Sequence, residues 1–244
     1  MSSVLYVGHS TVVVEMDGTR LLTDPLLRPR VGHLLRTGPI PDVGRVDAVL
    51  VSHAHHDHLD LGSLARLDRM LPVVVPRGIG RLLGRRESVV EVIEGDELTF
   101  GSVAVRATHA EHAGRRHGRR ASGPALGFAI SSGSQHVYFA GDTDLFPAMD
   151  GLVPDLDVAL LPIWGWGASL GRGRHLDPRR AAEALALLRP EVAIPIHWGT
   201  YRPLHRGARA RFLTEPAEAF VRAATELAPE VEVKVLRPGE RFSF

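Results

Sequence analysis

The chain contains 244 residues, 44% of them hydrophobic, which is enough for a substantial core, and we expect one domain over residues 1–244. Its formal net charge of +1 provides no general attraction to nucleic acid, and the absence of cysteine excludes disulfides, thiolate metal ligands and a cysteine nucleophile. The N-terminal residues lack the pattern of a signal peptide, and no apolar run approaches the roughly 20 residues that span a bilayer. These features predict a cytoplasmic protein.

The N-terminal region predicts strands followed by a loop. Residues 12–16 alternate as in a strand, and Asp17-Gly18 is typical of a two-residue hairpin turn. His9 and Asp24 are polar residues at predicted strand ends; His9 could be a simple turn residue, and Asp24 could belong to an Asp-Pro turn. Residues 28–45 are rich in Arg, Gly and Pro without a clear period, so we predict a loop near a site mouth, helical in part around Leu34-Leu35.

The segment His53-Ala54-His55-His56-Asp57-His58 directly follows an apolar run that predicts a buried strand, residues 48–51. His53 and His55 alternate, so an extended chain would point both imidazoles the same way. Asp57 and His58 are adjacent and must diverge, which suits a second metal beside the first. Neutral imidazole nitrogens and a carboxylate are ligands that zinc, iron and manganese accept. The sequence therefore predicts a metal site.

Further candidate ligands follow along the chain. His109 and His112 are alternatives for the residue that would complete the coordination of the first metal. Asp142 comes directly after a predicted strand, and its two carboxylate oxygens could serve two cations. His197 also lies at a predicted strand end.

Two helices are predicted from capping residues. Asp60 is placed to cap a helix that carries Leu64, Leu67 and Leu71 on one face. Asp177-Pro178 predicts the start of a second helix, which runs to about residue 189. His175 lies at the start of this second helix, where it could act in catalysis or be an ordinary surface histidine.

Aromatic and basic residues indicate where a substrate could bind. The run from Arg115 to Arg120 could attract an anion or be an exposed loop. Tryptophans among glycines on a loop are typical of a pocket wall, and four aromatic residues are candidates for such a wall. They are Trp164, Trp166, Trp198 and Tyr201.

The motif His53-x-His55-x-Asp57-His58 resembles the signature of the metallo-β-lactamase-fold hydrolases. Four further segments resemble the branch that contains ascorbate-phosphate lactonase-like and N-acyl-phosphatidylethanolamine phospholipase D-like enzymes. They are Gly8-His9-Ser10-Thr11, Leu22-Thr23-Asp24-Pro25, Phe139-Ala140-Gly141-Asp142-Thr143 and Pro195-Ile196-His197-Trp198-Gly199-Thr200. The resemblance implies an α/β fold, the four-layer αββα sandwich.

The resemblance also implies roles for the candidate ligands. The first metal would be held by His53, His55 and His112, with His112 favoured over His109; the second would be held by Asp57, His58 and His197; and Asp142 would bridge. Asp24 would lie beneath the site, where it would orient ligands. His9 would support the site from the same edge.

We expect two divalent ions, zinc first, with manganese or iron as alternatives. A metal-bridging hydroxide would cleave a phosphodiester, ester or lactone bond, and Asp57 would orient it. The expected partner is a small molecule, which would be anionic if the Arg-rich loops bind it.

Three other functions are compatible with parts of this pattern. An iron-containing redox member of the same fold would require iron in the isolated protein. A non-catalytic metal-binding protein would be favoured by a missing ligand, and none is missing. A nuclease is disfavoured by the balanced charge.

Overall fold

The computed structural model describes residues 1–114, 123–165, 175–207 and 210–244. The N-terminal strands are β1 (Ser3–Gly8), β2 (Thr11–Met16), β3 (Thr19–Thr23), β4 (Arg30–Val31), β5 (Leu34–Arg36), β6 (Ala48–Leu50), β7 (Val73–Pro76) and β8 (Val89–Val92). The remaining strands are β9 (Glu97–Phe100), β10 (Val103–His109), β11 (Leu126–Ser132), β12 (Gln135–Phe139), β13 (Val158–Pro162), β14 (Val192–Ile196), β15 (Tyr201–Pro203), β16 (Glu232–Val233) and β17 (Arg241–Ser243). The α-helices are α1 (Leu61–Leu64), α2 (Pro178–Leu188) and α3 (Glu215–Leu227), and 3-10 helices span Gly80–Leu83, Pro147–Met149 and Arg211–Leu213.

Two seven-stranded sheets make up most of the fold. The first sheet has the order β17-β1-β2-β3-β6-β7-β8, and the second has the order β16-β14-β13-β12-β11-β10-β9. Strands β15, β5 and β4 form a third, three-stranded sheet. Within the described part of the chain, no helix combines the length and apolar character that crossing a bilayer requires.

The strand alternation shows how the layers pack. In β2, Val12 and Val14 belong to the core shared by both large sheets, whereas Val13 packs into the core on the outer face of the first sheet. Successive side chains of a strand point to opposite faces, so a strand buried on both faces contributes to two cores. Helices α2 and α3 cover the outer face of the second sheet. The α/β sandwich predicted from the resemblance is confirmed.

The hairpin predicted at Asp17-Gly18 is confirmed. Both residues have positive φ, 46° and 75°, as a two-residue turn between β2 and β3 requires. The helix predicted from Asp60 is shorter than expected, since α1 ends at Leu64. An Asp68 carboxylate accepts a hydrogen bond from the Met70 amide at 2.9 Å, and such local side-chain bonds compete with helix continuation.

The predicted helical turn around Leu34-Leu35 was wrong. These residues lie in β5, which pairs with β4 on one side and β15 on the other. The partner β15 lies more than 160 residues away along the chain, since Leu35 pairs with Arg202. A pairing partner at such a distance is invisible to local periodicity.

Strand direction places the candidate ligands at one edge. Strands β3 and β6 are parallel, and so are β12, β13 and β14. Two successive antiparallel pairings make β1 parallel to β3 and β10 parallel to β12. The carboxyl ends of all these strands therefore lie on one side of their sheets, and the candidate ligands follow those ends.

Candidate metal centre

Two groups of metal-ligand side chains lie at this edge. Within each group, one ligand atom from every residue lies within 4.8 Å of the others. The first ligand group is His53, His55, His112 and Asp142, and the second is His9, Asp57, His58 and His197.

In the first ligand group, the ring nitrogens converge at the spacing of a coordination shell. His55 Nδ1 lies 2.9 Å from His53 Nε2 and 3.3 Å from His112 Nε2. Ligand nitrogens of a tetrahedral zinc site lie roughly 3.3 Å apart, because the Zn–N distance is about 2.0–2.1 Å. The side chains therefore have room for one ion between them.

The alternative ligand His109 lies elsewhere. Its ring contacts Glu94 at 3.2 Å and Glu111 at 3.5 Å, and 40% of its side chain is exposed. His112 stands with His53 and His55, as the resemblance implied. The strand β10 includes His109 and ends there, so the chain turns before it reaches His112.

Asp142 stands between the two ligand groups. Its Oδ2 atom is 3.9 Å from His53 Nε2 and 3.2 Å from His58 Nε2, and its Oδ1 atom is 3.4 Å from His197 Nε2. Each carboxylate oxygen thus faces a ligand of the second group, and Oδ2 also approaches the first group. Oδ2 therefore lies between a histidine of each group, and the bridging role of Asp142 stays a prediction.

The second ligand group contains one residue more than the sequence predicted. Asp57 Oδ2 lies 3.1 Å from His9 Nε2, 3.6 Å from His197 Nε2 and 3.9 Å from His58 Nε2. The imidazole of His9 therefore lies among the candidate ligands of the second group rather than behind them. Its sequence signals were its position directly after β1 and the Gly8-His9-Ser10-Thr11 segment, which implied only a supporting role.

A hydrogen-bond network behind the site holds the ligands. Asp24 Oδ2 is 2.7 Å from His58 Nδ1, as predicted, and Asp24 also accepts hydrogen bonds from the Ser52 amide and hydroxyl, at 2.7 and 2.6 Å. Ser52 Oγ lies 2.9 Å from His53 Nδ1. Such contacts turn the Nε2 atoms toward the centre. The sequence reasoning missed Ser52, since its place beside His53 is its only signal.

The last candidate ligand is oriented by backbone. His197 Nδ1 donates to the carbonyl oxygen of Trp164, which leaves Nε2 toward the centre. The peptide group of Trp164, rather than its predicted aromatic ring, makes this contact.

Three of the six non-glycine residues with positive φ in the described part of the chain lie at the site. His9, Asp24 and His197 have φ values of 57°, 33° and 60°. Such values are uncommon for residues other than Gly, and strained residues cluster at functional sites, where the surrounding structure holds them. Here they aim side chains from strand ends into one centre.

Burial and charge set the protonation of the histidines. Burial lowers the pKa of His53 well below its ordinary value, that of His55 to about 4 and that of His9 to about 3. Neutral imidazole is the form that binds metal. These three side chains are therefore ready to act as ligands at neutral pH.

For the two carboxylates, burial and the neighbouring imidazoles shift the pKa in opposite directions. Burial alone would raise the pKa of Asp57 and of Asp142, but nearby imidazoles, His58 among them, hold both well below the ordinary value. Burial would lower the pKa of His58, whereas Asp142, Asp24 and Asp57 raise it well above its ordinary value. Buried anionic charge gathered at one point calls for a compensating cation.

Among the buried side-chain atoms without a hydrogen bond in the described part of the chain are two that belong to candidate ligands sharing the centre. They are His58 Nε2 and Asp142 Oδ1, and both point into the centre. Buried polar atoms are normally satisfied, and an exception calls for a missing partner such as an ion. The nitrogen and oxygen donors present fit divalent metals of the zinc, manganese and iron type.

His175 lies beside the ligands. Its Nε2 atom is 3.1 Å from Asp142 Oδ2, its ring centroid is 4.6 Å from that of His112, and 13% of its side chain is exposed. The helix α2 begins at Pro178, with Asp177 as its cap. The structure thus brings His175 to the centre, and its catalytic role stays a prediction.

The predicted aromatic wall differs from the structure at Tyr201. Trp198 packs against the core beside α2 and α3, and its Nε1 donates to the Pro195 carbonyl oxygen at 2.9 Å. Tyr201 is 2% exposed, and its hydroxyl donates to backbone carbonyl oxygens of Leu26 and Arg28. Tyr201 is therefore buried inside the fold, whereas Trp198 is half-buried and its place in a pocket wall stays a prediction. Trp166 and the run from Arg115 to Arg120 lie outside the described residues.

Comparison with known proteins agrees with this geometry. Residues 19–198 match the model of the beta-lactamase superfamily domain. A metal-dependent hydrolase of the UPF0173 group from Methanopyrus kandleri is 31% identical over 250 residues, which cover 98% of this chain and 98% of that protein. An N-acyl-phosphatidylethanolamine-hydrolyzing phospholipase D from Caenorhabditis elegans is 27% identical over 80% of this chain and 63% of its own length.

A solved structure extends the likeness to the whole fold. A metallo hydrolase from the archaeon Ignicoccus hospitalis superposes with a TM-score of 0.74 at 26% identity, covering 100% of this chain and 99% of its own. The chain belongs to the beta-lactamase superfamily and is a metal-dependent hydrolase of the metallo-β-lactamase fold.

Proposed function

We propose that the chain is a dinuclear hydrolase that cleaves a phosphodiester, ester or lactone bond of a small molecule. The observation that carries this proposal is the position of Asp142, whose Oδ2 atom lies 3.9 Å from His53 Nε2 in the first ligand group and 3.2 Å from His58 Nε2 in the second. A single ion would not need eight candidate ligand residues in two groups with a carboxylate between them.

We assign one divalent ion to each ligand group, with zinc as the first choice. The first ion would be held by His53, His55 and His112, and Asp142 would be shared. The second ion would be held by His9, Asp57, His58 and His197. The absence of cysteine makes the donor set wholly nitrogen and oxygen, which zinc accepts and which manganese and iron also accept.

When bound, two divalent ions lower the pKa of water toward 7 and polarise the oxygen of the bond to be cleaved. Asp57 is 17% exposed and faces the open side of the centre, so it would orient the attacking water. His175 would hydrogen-bond the substrate oxygen from the opposite side of Asp142. Asp24 and Ser52 would keep the ligand rings in place.

Metal analysis combined with a substrate panel tests the proposal. The purified chain is analysed for metal content and then tested on bis(p-nitrophenyl) phosphate, p-nitrophenyl acetate and a lactone, with each candidate metal added. We expect two ions per chain and hydrolysis of one bond type. His58→Ala should lose an ion and the activity, because His58 contacts both Asp142 and Asp57.

His136→Ala provides the control, since His136 lies on β12 away from the ligand groups. It should keep both ions and full activity. One ion per chain in the fully active wild-type protein would contradict the dinuclear assignment. Bound iron with oxygen consumption and no hydrolysis would instead support a redox function.

A further inference from the structure

A cavity of about 470 Å³ lies next to the second ligand group. Its apolar wall comes from Val31, Leu34 and Pro203, and His33, His56 and Asp57 complete its lining. Pockets for small molecules have volumes of about 300–1,000 Å³, so this cavity is large enough for part of a substrate.

The three-stranded sheet builds the apolar wall. Leu34 pairs with Val31 across the β4–β5 hairpin and with Pro203 across β5–β15. Val31 and Leu34 pack against Leu26 and Tyr201 in a small core of their own. The wall is therefore held by strand pairing and packing before any ligand binds.

The cavity borders the metal centre at Asp57. This residue lines the cavity, and its Oδ2 atom lies 3.1 Å from His9 Nε2 in the second ligand group. A molecule that placed its polar bond at the ions could therefore extend its remaining atoms along Val31 and Leu34.

The charge of the lining decides what the cavity accepts. Among the described residues that line it, none is Arg or Lys, and the one carboxylate, Asp57, faces the candidate ligands. An anionic group in the cavity would find no fixed positive charge there. An apolar group would instead bury its surface against aliphatic side chains.

We infer that this cavity holds a linear alkyl or acyl portion of the substrate and thereby sets substrate specificity. The inference rests on the proposed function, because the metal centre would bind the polar end. Each methylene that enters the cavity should strengthen binding about fourfold, until the cavity is filled.

A series of alkanoates tests this without relying on turnover. Binding of acetate, butanoate, hexanoate and octanoate to the metal-loaded full chain is measured by calorimetry, in the wild type and in Pro203→Glu. We expect Kd to fall by about fourfold per methylene in the wild type. Pro203→Glu should remove most of this dependence, since the new carboxylate would lie in the apolar wall.

Leu204→Glu is the matched control. It adds the same charge one residue along the chain, but Leu204 is 44% exposed and does not line the cavity. It should retain the chain-length dependence. Because Pro203 lies in β15, a second variant, His33→Glu, places a charge at an exposed lining position outside the strands and should also reduce the dependence.

The outcomes separate this inference from the proposed function. Equal affinity for all four alkanoates in a chain that binds two ions and hydrolyses the panel would overturn the inference alone. Chain-length dependence that survives both Pro203→Glu and His33→Glu would place the alkyl group elsewhere and overturn it as well. A chain that binds no metal would refute the proposed function. If that metal-free chain bound octanoate and Pro203→Glu abolished this binding, the cavity would still be supported as the alkyl site.

Discussion

Asp24 Oδ2 lies 2.7 Å from His58 Nδ1, although 34 residues separate them in the chain. Asp24 also accepts both hydrogen bonds that Ser52 donates, and Ser52 in turn contacts His53. One buried carboxylate thus orients a histidine from each ligand group. The consequence is that changes behind the site should alter metal binding without removing any ligand.

Asp24→Asn should weaken metal binding by about 10- to 100-fold, the usual effect of losing a residue that orients ligands. An amide N–H facing His58 Nδ1 would favour the tautomer that carries its proton on Nε2, the atom turned toward the centre. Metal affinity can be measured by competition with a chromophoric chelator. Asp155→Asn is the control, because Asp155 also has positive φ but is exposed. Equal affinity of both variants would contradict this role for Asp24.

His112→Ala and His109→Ala form a matched pair, because the two histidines lie three residues apart in the chain. The first should reduce kcat/KM by more than about 100-fold, since even residues that only orient ligands typically contribute about 10- to 100-fold. The second should change kcat/KM by less than about threefold, because His109 contacts Glu94 and Glu111 away from the ligands. Hydrolysis and metal content measured on both variants decide the assignment, and the reverse result would make His109 the ligand.

Gly141→Ala should destabilise the fold more than Gly133→Ala. Both glycines have φ near 60°, so each substitution carries the backbone cost of roughly 1–2 kcal/mol. A Cβ at Gly141 would lie only 2.6 Å from Ser52 Cβ, whereas nothing lies within 4 Å of one at Gly133. Urea unfolding of the two variants isolates the cost of this close approach. Equal free energies of unfolding would mean that the two sheets can separate there without penalty.

The pair of Arg28 and Asp60 predicts a pH dependence of stability. Burial would raise the pKa of Asp60, but hydrogen bonds from Arg28 and from Ser63 lower it below the ordinary value. A carboxyl whose pKa is lower in the folded state stabilises the fold above its unfolded pKa of about 3.9, and the stabilisation disappears as pH falls through the folded pKa.

Asp60→Asn should therefore reduce the free energy of unfolding most near pH 6, and the difference from the wild type should shrink as the pH falls below about 4. Urea denaturation at several pH values measures this. The variant keeps an amide oxygen that can cap α1, so its effect reports mainly the charge. A difference that stayed constant across this range would show that the charge of Asp60 contributes nothing.

Chelation should lower the thermal stability of the metal-loaded chain. The carboxylates of Asp24, Asp57 and Asp142 lie around His58. Without the ions, only a proton on His58 would balance their negative charge. An ion that binds only the folded state at 100 times its Kd stabilises it by about 2.7 kcal/mol. Thermal unfolding with and without a chelator measures the shift, and restored zinc should reverse it. An unchanged midpoint would show that no ion binds the folded chain.

The sequence by itself determined the chemistry and much of the local structure. The spacing in His53-x-His55-x-Asp57-His58 indicates a metal site, and the Asp17-Gly18 turn and the cap at Asp177 depend on neighbouring residues alone. Local backbone geometry and hydrogen bonding decide such features, so a pattern of a few residues is enough to predict them.

Tertiary structure decided the features that depend on distances between separate strand ends. It placed His9 among the candidate ligands, separated His109 from His112, and used Ser52 to link Asp24 with His53. It also formed the apolar cavity from β4, β5 and β15, although the sequence predicted a partly helical loop for residues 28–45. These contacts join residues that lie far apart in the chain, and only the packing of the sheets determines which of them meet.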